Sequence, residues 1–152
     1  MIRDLTSETC IELLRTTCIG RLAYIAHDVP YAIPITYYYY QPNNSIISYS
    51  LEGHKIISMR NKNTVSLQVD DIETVNRWKS VLVHGEFEEL TGSNAKKLLN
   101  EFSKGVKEII NSKEEKKVQF IHEFSRKLGV KDASPIVYQI KILEITGKER
   151  LG

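Results

Sequence analysis

The residues best suited to chemistry in this chain lie just past its middle, where Gly53-His54-Lys55 opens an apolar-spaced segment directly after the β-branched run Ser45 to Ser50. A lysine beside the free backbone N–H groups of a helix start seats a phosphate well, because ammonium and dipole both favour negative charge. Ser50 and Lys55 are therefore candidate holders of one phosphoryl group. A turn glycine followed by a solvated lysine would read the same way. The second unusual feature is the run Tyr37-Tyr38-Tyr39-Tyr40. Side chains alternate along a strand, so Tyr37 and Tyr39 face one side and Tyr38 and Tyr40 the other. One pair can stack on a planar ligand, a flavin or a nucleic-acid base, or can pack as a barrel wall. Trp78, the single tryptophan, stands at the head of a long β candidate, where an anchor in a core or interface is the ordinary role.

Other chemistries lack their residues. There is no GxSxG, HExxH, GxGxxG or GxxxxGK[ST] pattern. His27, His54, His84 and His122 are scattered, and Cys10 and Cys18 have neither CxxC spacing nor a histidine near enough to complete a zinc set. No metal site is expected. Catalytic acid–base residues cannot be named. With 21 Lys+Arg against 19 Asp+Glu the net charge is +2, and no basic stripe concentrates it, so a nucleic-acid partner is not expected. No apolar run approaches a membrane span, and the start, Met1 to Glu8, carries early acidic residues and no apolar core of the length a signal peptide requires, so the expectation is a cytoplasmic protein without a membrane partner.

The elements that must position these residues follow from periodicity and punctuation. Thr6 and Ser7 cap a helix running to Thr16, with Ile11, Leu13 and Leu14 on it. A strand from Ile19 to Ala26, the breaker His27-Asp28-Val29-Pro30 and a strand from Tyr31 to Tyr40 form a hairpin. After Gln41-Pro42-Asn43-Asn44 a third strand spans Ser45 to Ser50, then a short helix Gly53 to Arg60. Thr64 to Val69 alternates as a fourth strand. Trp78 to Leu90 carries Val81, Val83, Gly85 and Phe87 on one parity, and Gly85 suggests a bulge. Ala95, Leu98, Leu99, Phe102, Val106, Ile109 and Ile110 make one helical stripe, and Val118, Ile121, Phe124 and Leu128 a second, divided at Asn111-Ser112 and ended by Gly129. Pro135 to Thr146 closes the series with apolar residues on both parities. The expected fold is α+β, a six-stranded antiparallel split β-barrel with short flanking helices and a helical pair before the last strand, in one domain over residues 1–152.

Taken in order, Gly20-Arg21-Leu22-Ala23, Pro30-Tyr31, Pro34-Ile35-Thr36-Tyr37, Ser50, Gly53-x-Lys55, Val65, Trp78-x-Ser80-Val81 and Gly85 resemble the pyridoxamine 5′-phosphate oxidase-like flavin-binding split barrels, in particular the nitroimidazole-resistance-protein-like branch. The likeness runs from Leu5-Thr6 to Thr146-Gly147-Lys148. It implies a homodimer with FMN in clefts between subunits. By position, Pro34, Ile35 and Thr36 would lie along the isoalloxazine, Tyr49 and Ser50 would approach the ribityl and phosphate, His54 and Lys55 would meet the phosphate, and Trp78 and Ser80 would come from the partner. Two positions depart from the family pattern. Tyr49 replaces a histidine implicated in nitroimidazole reduction, and His54 replaces an arginine at the phosphate. The implied activity is that of an FMN-binding oxidoreductase passing electrons from a reduced nicotinamide to a small acceptor. A flavin-binding module without turnover, or the same barrel holding haem or another ligand, is the alternative.

Overall fold

The computed structural model describes residues 1–113 and 134–152. It contains strands β1 (Ile2–Asp4), β2 (Ile19–Ala26), β3 (Val29–Thr36), β4 (Tyr38–Tyr40), β5 (Ser45–Ser50), β6 (Thr64–Thr74), β7 (Arg77–Glu89) and β8 (Ile136–Leu151), with helices α1 (Ser7–Thr16), α2 (His54–Asn61) and α3 (Gly92–Asn111). All strands pair antiparallel in one curled sheet of order β3-β2-β6-β7-β8-β5-β4, and β1 adds to the far end of β8.

The class is α+β, as expected, but the sheet has eight strands rather than six. One extra strand arises because the expected strand Tyr31 to Tyr40 is broken at Tyr37. That ring is fully buried, its amide donates to Cys18 O at 2.8 Å, and its hydroxyl donates to Leu14 O at 2.8 Å and lies 2.7 Å from Thr17 Oγ1. Anchoring to the end of α1 turns the chain, so β3 stays on β2 while β4 crosses to β5. The other is β1, whose partner Lys148 to Arg150 lies at the opposite end of the chain. The second expected helical stripe, Val118 to Leu128, lies outside the described residues.

Several local features follow from their residues. Thr6 caps α1 by accepting from Thr9 N at 3.2 Å. The β2–β3 turn is only His27-Asp28, both left-handed at φ 52° and 63°, which is the geometry that matches strand twist in a two-residue hairpin. The β7–β8 register shifts between His84 and Gly85. A Cβ at Gly85 would collide with the Lys141 carbonyl and the Ile140 side chain, so the bulge needs glycine.

Two cores result. Inside the curl, Leu22, Tyr24, Tyr37, Ile46, Leu67, Val83, Phe87, Tyr138 and Ile140 pack together with Ile56 and Met59 of α2. On the other face of β5, α3 lays Leu98, Phe102, Val106 and Ile110 over Ile47 and Val137. β8 serves both, which explains its apolar residues on both parities. An eight-residue helix is marginal alone. Burying Ile56 and Met59 completely contributes about 3–6 kcal/mol and fixes where α2 begins.

Candidate functional site

The start of α2 is built by this anchoring. Gly53 precedes the helix without a side-chain cap, and Ile57 N bonds back to Gly53 O at 3.1 Å. The first-turn N–H groups therefore have no helical acceptor, and the first turn carries no acidic residue. His54 is exposed and Lys55 half-buried. Burial lowers the pKa of the Lys55 ammonium, and among the described residues nothing forms an ion pair with it. Arg60, at the other end of the helix, is different. It is held by Glu52 at 2.7 Å and by Glu89 at 2.8 Å, which raises its pKa further.

His54 does not stand alone. Its Nδ1 lies 2.9 Å from the Tyr24 hydroxyl. Tyr24 and Tyr31 stack at 5.5 Å and 11°, and Tyr31 meets the imidazole edge-on at 5.0 Å. Neither tyrosine belongs to the sequence-derived site. The four-residue breaker from His27 to Pro30 expected from the sequence would set Ala26 opposite Tyr31; the turn is instead only His27-Asp28, the strand begins at Val29, and Tyr24 stands directly opposite Tyr31. Their approach to His54 carried no local signal, since α2 is distant in sequence.

The remaining candidates occupy three places. Ser50 ends β5 on the side leading into α2, and its hydroxyl donates to Leu51 O at 2.9 Å. Tyr49, on the opposite face of the strand, turns its ring against Phe102 of α3 at 5.5 Å, and burial raises its pKa. The tyrosine run as a whole packs inward. Tyr37 and Tyr39 lie in the core inside the curled sheet, while Tyr38 and Tyr40 pack on the α3 side, so none forms an open stacking platform.

Pro34, Ile35 and Thr36 end β3, opposite Arg21, Gly20 and Ile19. Ile35 points into the core, and the Thr36 carbonyl accepts from Ser48 Oγ at 2.7 Å. Pro34 shares the outer face of the sheet with Arg21, Gln68, Asp70 and Ser80. There Arg21 reaches Asp70 at 3.2 Å, and Gln68 Nε2 donates to Asp70 at 3.0 Å and to Ser80 Oγ at 2.9 Å. Three strand steps of about 4.8 Å, about 14 Å in all, separate β3 from β7 across this face. Trp78 is half-buried beside a cavity of about 210 Å³ whose lining is of mixed charge, with Arg3, Arg77, Lys79 and Arg150 alongside Asp71, Glu73 and Glu149. Ser50, His54 and Lys55 thus fall within the six residues that lead from β5 into α2, while Trp78 and Ser80 lie on β7.

The donor set at α2 fits an anionic ligand: an ammonium without a counter-ion, an imidazole, a hydroxyl and free backbone N–H groups. A family model described as pyridoxamine 5′-phosphate oxidase matches residues 6–149. The chain belongs to the pyridoxamine 5′-phosphate oxidase family. A FAD-binding protein of Mesorhizobium loti is 26% identical with TM-score 0.76, the match covering 100% of this chain and 98% of that one. A FAD-binding protein of Mycobacterium smegmatis shares the fold at 18% identity and TM-score 0.64, over 97% of this chain and 98% of that one. So does a protein of Bacteroides thetaiotaomicron assigned to 5-nitroimidazole antibiotic resistance, at 14% identity and TM-score 0.70, over 98% and 87%. An uncharacterized protein of Rhizobium meliloti (strain 1021) is 36% identical over 89 residues, which is 59% of this chain and 58% of that relative's length. No helix among the described residues is long and apolar enough to cross a membrane.

Proposed function

We propose that this family member binds FMN at a homodimer interface and acts as an oxidoreductase, passing electrons from a reduced nicotinamide to a small acceptor. The observation that carries the reading is Lys55, a half-buried ammonium at the start of α2 with no anion beside it among the described residues. Its desolvation is offset only when a negative group arrives, and a phosphate supplies one. His54 and the first-turn N–H groups donate to the same phosphate, and Ser50 Oγ turns from the Leu51 carbonyl to join them.

Pro34, Ile35 and Thr36 form the end of an edge strand, where alternate backbone groups point away from the sheet and are free to meet the polar rim of a flavin ring. Val29, Tyr31 and Ile33 lie on the core-facing parity of that strand yet are 50%, 42% and 37% exposed. A second copy covers this stripe and brings its own Trp78 and Ser80 to the ring, residues that the same chain keeps about 14 Å away. Tyr49, held against Phe102 on the α3 face of β5, puts no imidazole at this place. Bound flavin supplies hydride and single-electron chemistry, while the protein binds, orients and limits access.

The test is visible absorbance and mass spectrometry of the released small molecule after incubation with FMN and desalting, with light scattering for mass. One FMN per subunit in a dimer, followed by bleaching with NADH or NADPH, is the expected result. A folded protein that retains no flavin refutes the proposal. Retention without reduction leaves a flavin-binding module and refutes the enzyme. FAD is the second reading, favoured by the 26% identical FAD-binding protein of Mesorhizobium loti. Competition between the two flavins decides it.

A further inference from the structure

We propose that Tyr24 is a positioning residue that sets the tautomer of His54, so that the Nε2–H of this imidazole is always presented as a donor to the flavin's phosphate. The inference rests on the flavin reading above and assigns to this chain what replaces a permanently charged side chain at that place.

Tyr24 comes from β2, with its ring in the core inside the curled sheet and 6% of the residue exposed, and its hydroxyl meets His54 Nδ1 at 2.9 Å. His54 is exposed, and its Nε2 makes no hydrogen bond within the described chain. A phenol hydroxyl both donates and accepts, whereas phosphate oxygens facing a base only accept. A neutral imidazole whose Nδ1 receives the Tyr24 proton must carry its own proton on Nε2. An imidazolium carries one on each nitrogen, and Tyr24 then accepts from Nδ1. In either state Nε2–H remains for the anion. The remaining state, an Nε2 lone pair with Nδ1–H donating to Tyr24, uses the phenol as an acceptor, which is its weaker role, so the hydroxyl donating to Nδ1 is the favoured pairing before any ligand arrives.

The orientation is held by two further contacts. Tyr31 meets the imidazole edge-on at 5.0 Å and is itself stacked on Tyr24 at 5.5 Å, so the ring sits against two aromatic neighbours from different strands. From α2 the adjoining cation is Lys55. The nearest acid in sequence, Glu52, is engaged by Arg60 and does not compete for the imidazole. Phosphate recognition is therefore shared between a fixed charge at Lys55 and a directed donor at His54. Removing the phosphate from the ligand removes the reason for both.

The test is calorimetric titration of wild type, Tyr24→Phe, His54→Ala and the double variant with FMN and with riboflavin. Tyr24→Phe deletes one oxygen and keeps the ring contacts. It is expected to raise the FMN Kd about five- to tenfold, the scale of one hydrogen bond, leave riboflavin within about twofold, and cost nothing more in the His54→Ala background. Long-range ¹H–¹⁵N spectra of the ligand-free wild type are expected to show the neutral imidazole protonated at Nε2, a readout that needs no variant. Equal losses for both flavins, an undiminished loss in the His54→Ala background, or an Nδ1–H tautomer persisting with FMN bound overturns the role of Tyr24. A wild type that binds FMN no better than riboflavin removes the phosphate seat. One that binds neither removes the flavin reading, and this inference with it.

Discussion

Replacing Lys55 with methionine separates ligand binding from folding, because the two effects have opposite signs. Methionine keeps an unbranched apolar stem where the lysine stem packs and removes the ammonium. In the ligand-free protein that ammonium is half-buried and unpaired among the described residues, with a pKa lowered from 10.5 by desolvation. The unfolded chain then holds the proton more firmly than the folded one, so the penalty is fully present below the folded pKa and disappears as pH rises through it toward 10.5. Lys55→Met is accordingly expected to raise ligand-free stability at pH 7, and the gap from wild type is expected to close at alkaline pH. Binding moves the other way. A hydrogen bond to a charged group is worth about 1.5–3 kcal/mol, so the FMN Kd is expected to rise about 10- to 150-fold. Urea denaturation at several pH values and calorimetric titration read the two halves independently. A ligand-free protein destabilised by Lys55→Met, or an unchanged FMN affinity, refutes the reasoning that places an uncompensated charge at a phosphate seat.

Three further substitutions test how the site's supports are built. Gly85→Ala drives a methyl group into the Lys141 carbonyl and Ile140 side chain and is expected to destabilise by about 1–3 kcal/mol in chemical denaturation, although alanine suits most strands better than glycine. Tyr37→Phe removes the hydroxyl that serves Leu14 O and Thr17 Oγ1, leaving a buried carbonyl unsatisfied at a cost of about 1–3 kcal/mol by the same assay. Replacing His27-Asp28 with Asn-Gly relieves two left-handed residues and is expected to add about 1 kcal/mol of stability without altering flavin affinity, since the turn only joins β2 to β3.

How much of this was legible depended on the distance over which each feature is decided. Strands β2 and β5 begin and end where the pattern places them, at Ile19–Ala26 and Ser45–Ser50, because alternation and flanking turn residues are local. The α1 cap at Thr6, the bulge at Gly85 and the α3 stripe through Leu98, Phe102, Val106 and Ile110 were readable for the same reason. The ends of the long strands were not. β6 runs on past Val69 to Thr74, and β8 continues to Leu151, because exposed polar residues such as Asp71 and Lys148 are held in strand by neighbours in the sheet, not by their own alternation.

By itself, then, the sequence determined the alternation of elements, the antiparallel class and the basic pair His54-Lys55 at a helix start, all consequences of side-chain period and backbone preference within a few residues. Tertiary structure alone decided that the tyrosine run breaks at Tyr37, that β1 closes on β8, and that Arg60 is neutralised while Lys55 is left open. It alone decided that Tyr24 and Tyr31 meet His54. Each of these is a pairing between segments far apart in the chain, set by which partner fills a buried space or satisfies a buried polar group once the sheet has curled. No local preference encodes that choice.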